Sequence, residues 1–193
     1  MSNTTLKGQH VAMLATDGFE QLELTEPKRL LEEAGAKVSV IAPETTQKPG
    51  EIRGWKMKEW GDSTRVDLKL GDAKVEQFDG LVLPGGQMNP DKLRLEPEAI
   101  ALIKAFGAAE KPIAAICHGP WTLIDAGLVK GKKMTSWPSL KTDLRNAGAH
   151  WEDSKVVIDG RLITSRKPDD IPAFVEALID QLSGTHQHER RAA

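Results

Sequence analysis

The sequence predicts an α/β fold: a doubly wound, mostly parallel sheet with helices on both faces. Three observations carry this. Short apolar runs alternate with stretches of helical periodicity, a strand–helix–strand unit opens the chain, and several apolar runs end in turn-forming residues. Residues 10–16 (HVAMLAT) are the first run and stop at Asp17-Gly18. Residues 20–34 follow with Leu22, Leu30, Leu31 and Ala34 at helical spacing, and Gly35 ends them. Pro27 is expected near the start of this helix, where a missing N–H costs least. Residues 37–42 (KVSVIA) form the second strand, and a right-handed crossover makes it parallel to the first.

The unit recurs. Residues 79–83 (DGLVL) run into Pro84-Gly85-Gly86, a helix is expected over about 96–109, and 113–116 is the next strand. A helix over 121–126 stops at Gly127. In residues 155–165, Asp159-Gly160 between two β-branched runs predicts a hairpin. A closing helix over 168–182 and a flexible polar tail over 183–193 complete one domain, 1–193, with its core at about 8–182. Residues 44–65, which hold Trp55 and Trp60, are the least regular stretch: a small hairpin or a surface for another subunit.

Composition excludes several function classes. The 193 residues are 39% hydrophobic and 28% charged, ordinary for a soluble globular domain. Lys plus Arg number 26 against 28 Asp plus Glu, so charge gives no reason to expect nucleic acid or an anionic membrane as partner. No apolar run approaches the length of a membrane span, and the N-terminus lacks a signal-peptide layout. A single cysteine, Cys117, forms no internal disulfide, and a cytoplasmic setting is expected.

In open α/β sheets, sites form at the carboxyl ends of strands. Three such ends carry suggestive residues: 17–23, Gly85-Gly86, and Cys117-His118-Gly119. The third has the mechanics of a nucleophile elbow, a strand, a sharp turn and a helix, which strains the nucleophile's backbone and aims its side chain out of the sheet. A helix N-terminus beside the sulfur would favour thiolate. The competing reading is that Cys117 is a small packing residue, since free cysteine is among the most buried residue types. The amides of Gly86 and His118 could together form an oxyanion hole. Glu20 and Glu23 fit equally well as first-turn helix acids, and Asp91 as an ordinary loop acid. His150-Trp151-Glu152 contains a His-x-Glu pair that is read as coincidence, and His186-Gln187-His188 lacks a third metal ligand.

Four segments in order, ATDGFEQLEL, LVLPGG, AAICHGPWTLIDAG and TSWPSLKTDLRNAGAHWEDSKVVIDGRLITSRKPDD, resemble the ThiJ/PfpI superfamily and its PfpI-like branch over roughly residues 8–182. The resemblance implies a flavodoxin-like fold. It makes Cys117 the elbow nucleophile, with His118 beside it, and Glu23 a buried acid whose protonated carboxyl hydrogen-bonds the sulfur. It gives Asp91 the place of an acid that reaches the His118 ring across a subunit interface, with that ring turned away from Cys117. A homodimer or larger homo-oligomer with an interfacial site follows. The implied activity is cysteine chemistry on small reactive aldehydes or glycated amino groups and thiols, needing no metal, glutathione or nucleotide cofactor. A cysteine peptidase is the alternative enzyme, and a redox sensor or chaperone the non-catalytic one.

Overall fold

The computed structural model describes residues 5–192, with side chains described as far as residue 184. The opening unit is β1 (His10–Leu14), the short β2 (Phe19–Glu20), α1 (Gln21–Glu33) and β3 (Lys37–Ala42). Next come the hairpin strands β4 (Glu51–Lys56) and β5 (Glu59–Arg65), then β6 (Leu68–Lys69) and β7 (Gly80–Leu83). Two helices, α2 (Met88–Leu93) and α3 (Pro97–Ala108), lead to β8 (Ile113–Ile116) and α4 (Pro120–Asp125). The remainder is β9 (Lys133–Met134), α5 (Lys141–Asn146), β10 (His150–Trp151), β11 (Val156–Asp159), β12 (Leu162–Ser165) and α6 (Ile171–Ala192).

Seven strands form one sheet in the order β11-β12-β8-β7-β1-β3-β6, parallel except for the β11–β12 hairpin at one edge. This is the expected flavodoxin-like, doubly wound architecture. Strand alternation sorts the core into two halves. Val11 and Met13 join Leu24 and Leu31 of α1 and Phe174 and Leu178 of α6 on one face. Ala12 and Leu14 join Ile103 and Phe106 of α3 and Leu123 of α4 on the other. Because both faces are covered, the central strands are apolar throughout rather than alternating.

Residues 44–65 resolve as the hairpin alternative. β4 and β5 pair antiparallel, β2 adds to β4, and Trp55 meets Trp60 edge-on at 5.5 Å between ring centroids. Two expectations need correction. Pro27 lies inside α1 rather than near its start. Its missing N–H removes the helical bond to the carbonyl of Glu23, a residue of the candidate site, while the helix continues to Glu33. The closing helix also does not stop at Leu182, since α6 continues to Ala192 through the stretch expected to be a tail. The side chains of His186 and His188 lie outside the described residues. Among the described residues no helix is long and apolar enough to cross a membrane.

Candidate active site

The site lies at the carboxyl ends of β1, β7 and β8, beside the point where strand order reverses between β1 and β7. Cys117 follows directly on β8 and has φ +61°, a left-handed conformation that costs an L-residue about 1–2 kcal/mol. Two backbone bonds hold it there: its N–H donates to Ser165 O at 3.0 Å, and its carbonyl accepts from Trp137 N–H at 2.9 Å. Gly119 completes the turn because a Cβ there would lie 2.5 Å from Leu83 O. The elbow is therefore a property of backbone packing as well as of local sequence.

Glu23, in the first turn of α1, is fully buried. Its Oε2 accepts the Gly85 N–H at 2.9 Å, a bond that bridges the helix after β1 and the loop after β7. Its Oε1 has no hydrogen-bond partner within the protein, and the Cys117 thiol and the Gly86 amide also act on the carboxyl. Burial pushes the Glu23 carboxyl up to about 8, against the opposing pull of the thiol and the Gly85 amide. At neutral pH the acid is mostly protonated. Glu20 is half-buried, its carboxyl is raised by burial, and it adds a smaller repulsion to Glu23.

Gly85 and Gly86 are required by contact. A Cβ on Gly85 would lie 2.5 Å from Glu23 Oε2, 2.6 Å from Cys117 Cβ and 2.8 Å from His118 N. Gly86 has φ +76°, and a Cβ there would lie 2.5 Å from Glu20 N. The amides of Gly86 and His118 face the Cys117 sulfur and draw its pKa down, as an oxyanion-binding pair would. Burial is the larger effect and, with Glu23 nearby, pushes the thiol well above its ordinary value. The helix that follows the turn, α4, begins at Pro120 and is six residues long.

The His118 ring does not turn away from the sulfur. Its Nδ1 lies 3.2 Å from Cys117 Sγ, so residues adjacent in sequence are also partners in space. The left-handed backbone at Cys117 breaks the usual divergence of neighbouring side chains. Trp121 meets the imidazole edge-on at 5.3 Å and Trp137 stacks on it at 6.2 Å and 23°. Burial lowers the His118 pKa to about 4, which leaves the ring neutral at physiological pH.

Asp91 is exposed in the first turn of α2, and the structure of the single chain does not bring it to His118. His150 is exposed on β10 and takes no part in the site. Asn89 is the functional residue that sequence reasoning missed. Fully buried, it donates to Pro84 O at 2.9 Å and to Gly85 O at 3.2 Å, and accepts from Thr16 N–H at 2.8 Å. It fixes the Gly85 loop to the end of β1, and the turn-forming Asn89-Pro90 dipeptide was its only signal. Among the described residues no cluster of three His, Cys, Asp or Glu could hold a metal.

Comparison with known proteins agrees with this geometry. The model of the DJ-1/PfpI family matches residues 9–181. A Thermococcus kodakarensis protein named a deglycase is 40% identical over 172 residues, 89% of this chain and 98% of its own. A Bacillus subtilis protein bearing the name "Putative cysteine protease YraA" is 42% identical over 164 residues, 85% of this chain and 92% of its own. The crystal structure of Drosophila melanogaster DJ-1beta superposes with a TM-score of 0.81 at 29% identity, covering 91% of each chain. With a strand-end cysteine between a buried acid and a histidine, on this sheet order and over this length of match, the chain belongs to the DJ-1/PfpI family.

Proposed function

We propose that the chain is a cofactor-independent enzyme of reactive carbonyls, converting methylglyoxal to lactate, releasing amines and thiols from their early glycation adducts, or both. The observation that carries this reading is the geometry around Cys117: a strand-end cysteine at φ +61° with His118 Nδ1 3.2 Å from its sulfur and the buried Glu23 carboxyl tied to the Gly85 amide. Burial keeps the acid protonated and the imidazole neutral. Such a set suits a nucleophile that gives up its proton only as it attacks. His118 Nδ1 takes the thiol proton while sulfur adds to the aldehyde carbon, and the oxygen is held by the Gly86 and His118 amides. Transfer of the former aldehyde hydrogen, as a proton, to the neighbouring carbonyl carbon gives a thioester. Water then releases the hydroxy acid and the thiol. The balance is methylglyoxal plus water giving lactate, with no external oxidant or reductant. From the carbinolamine of a glycated amine, sulfur displaces nitrogen at the same carbon while the His118 imidazolium returns the thiol proton to the leaving amine, and the resulting hemithioacetal follows the same steps.

The names of relatives support a stress-related role, with deglycases at about 40% identity. The protease-named relative keeps peptide cleavage as a second reading. Peroxide sensing has less support, because it favours an exposed thiolate and Cys117 is buried with a raised pKa. In the assembled protein, Asp91 of a second copy is proposed to face the open side of His118, where its carboxylate would stabilise the imidazolium formed during attack.

The deciding experiment incubates wild type and Cys117→Ala with methylglyoxal without glutathione, and with a glycated lysine or cysteine derivative. Lactate formation or amine release by wild type, reduced at least about a thousandfold in the variant, is expected. Equal rates in the two proteins would end the proposal. Casein cleavage by wild type alone, with no lactate or amine release, would put the peptidase in its place.

A further inference from the structure

The five tryptophans of the chain are not equally provided for. The Arg53 guanidinium lies 5.7 Å over Trp60, Arg94 lies 5.7 Å over Trp121, and the Lys141 ammonium lies 5.3 Å over Trp151. Trp55 packs edge-on against Trp60 and donates its indole N–H to Met57 O. Trp137 is the exception. One face of its indole turns to the His118 ring, and the residue is still 40% exposed. Among the described residues no cation covers this ring and no acceptor takes its Nε1 proton.

This open indole stands beside the nucleophile. Its main chain is fastened to the elbow, since Trp137 N–H donates to the Cys117 carbonyl at 2.9 Å. Between sulfur and indole lies only the imidazole, with Nδ1 3.2 Å from Sγ and its centroid 6.2 Å from that of the indole. An extended lysine side chain spans that separation. Indole attracts cations more strongly than the other aromatic rings, and guanidinium adds planar stacking to the charge. The cations of the neighbouring helices are committed elsewhere: Lys92 to Asp17 O, Arg94 to Asp125, and Lys141 and Arg145 to the Trp151 ring. The imidazole behind Trp137 is neutral, because burial lowers its pKa to about 4, so it does not repel a positive charge. Asp143 holds the Trp121 N–H on the other side of that imidazole and brings a carboxylate to the same rim.

We propose that Trp137 is a binding subsite for a substrate cation: its open indole stacks the guanidinium of an arginine next to the residue whose adduct Cys117 opens. The inference deepens the carbonyl chemistry proposed above and rests on it, because it selects among the adducts that reach the same sulfur. A glycated residue beside an arginine fills both positions at once. Free methylglyoxal, or an adduct with a neutral neighbour, leaves the indole empty. Trp137 thus sets specificity and takes no part in bond breaking.

Two measurements test this on the full-length protein, with melting temperatures recorded for every variant. In the first, acetyl-Ala-Arg-amide and acetyl-Ala-citrulline-amide, which differ in charge but hardly in shape, protect Cys117 from iodoacetamide. The arginine peptide is expected to bind wild type about fivefold more tightly, Trp137→Leu to lose that preference, and Trp137→Phe to keep part of it. In the second, kcat/KM is compared for the methylglyoxal hemithioacetals of acetyl-Cys-Arg-amide and acetyl-Cys-citrulline-amide. Their ratio within each variant cancels any change in the nucleophile itself, and it should follow the binding preference. Equal protection of wild type by the two peptides would overturn the proposal, whether or not the variants fold. A preference that survives in Trp137→Leu would overturn it too, since the cation would then sit elsewhere. If the arginine preference appears in protection while wild type turns over no adduct, the proposed reaction fails and the subsite stands.

Discussion

The two flanks of the Cys117 sulfur are built from different material. On the Glu23 side the groups that meet the sulfur are main chain or fully buried: the Gly85 and Gly86 backbone, Glu23 itself, and Asn89 behind them. On the His118 side the ring is half-buried and is held by side chains of the segment after β9, including Trp137, which is 40% exposed. Both flanks are neutral. The acid stays protonated because burial removes its water, with a smaller repulsion from Glu20, and the imidazole stays unprotonated because it too is desolvated. The first condition belongs to the sheet and is hard to alter. The second belongs to a surface segment and can be adjusted by substitutions, substrates or a partner.

The sealed flank breaks most severely at Gly85. In Gly85→Ala the new methyl would meet Glu23 Oε2, Cys117 Cβ and His118 N all within 2.8 Å, and two of those atoms cannot swing aside. We expect a loss of about 3 kcal/mol in urea unfolding, at the upper end of overpacking costs, with at least a hundredfold loss of activity in whatever still folds. Near-wild-type stability would mean that the loop after β7 is looser than the described packing.

Glu23→Gln tests the same flank without adding volume. The folded-state pKa of Glu23 is raised from 4.5 to about 8, so between those values the folded chain holds a proton that the unfolded chain has released. Stability contributed by this group is therefore full below about pH 4.5 and declines as pH rises toward about 8. Glutamine cannot ionise and still offers an oxygen to Gly85 N–H, so it escapes that decline. The variant should match wild type near pH 4 and exceed it by roughly 3 kcal/mol at pH 7, as read by urea unfolding at several pH values. A difference independent of pH would show that Glu23 is ionised in the folded protein.

The flanks were also unequally legible in the sequence. Glu23, Gly85, Gly86 and Cys117 stand at strand ends or a helix start, and strand ends are what apolar periodicity locates best. Their roles needed the family resemblance, because burial of one acid among several cannot be read from spacing. The His118 ring was misplaced: side chains of neighbouring residues ordinarily diverge, and the +61° φ at Cys117 that brings these two together is a product of the folded turn. Asn89 left almost no signal, since it acts through long-range bonds from a short helix without strong periodicity. Pro27 shows the same limit, because its distance from the helix start depends on a boundary that sequence locates only loosely.

The open flank offers the mildest intervention. Burial is the cause of the depressed His118 pKa, and Trp137 supplies one of the two indole walls. Trp137→Ala removes that wall while leaving its backbone N–H on the Cys117 carbonyl and Trp121 on the other side. The His118 pKa should rise from about 4 by roughly one unit toward 6.5, a change worth about 1.4 kcal/mol in the balance between the two protonation states. NMR titration of the imidazole measures it directly, and the acid limb of activity should move up with it, since a ring already protonated cannot accept the thiol proton. An unmoved pKa would place the desolvation in Trp121 and the elbow itself, which would make this flank as sealed as the other. A shift reaching 6.5 would assign it entirely to Trp137, and a single exposed side chain would then set the protonation state of the base.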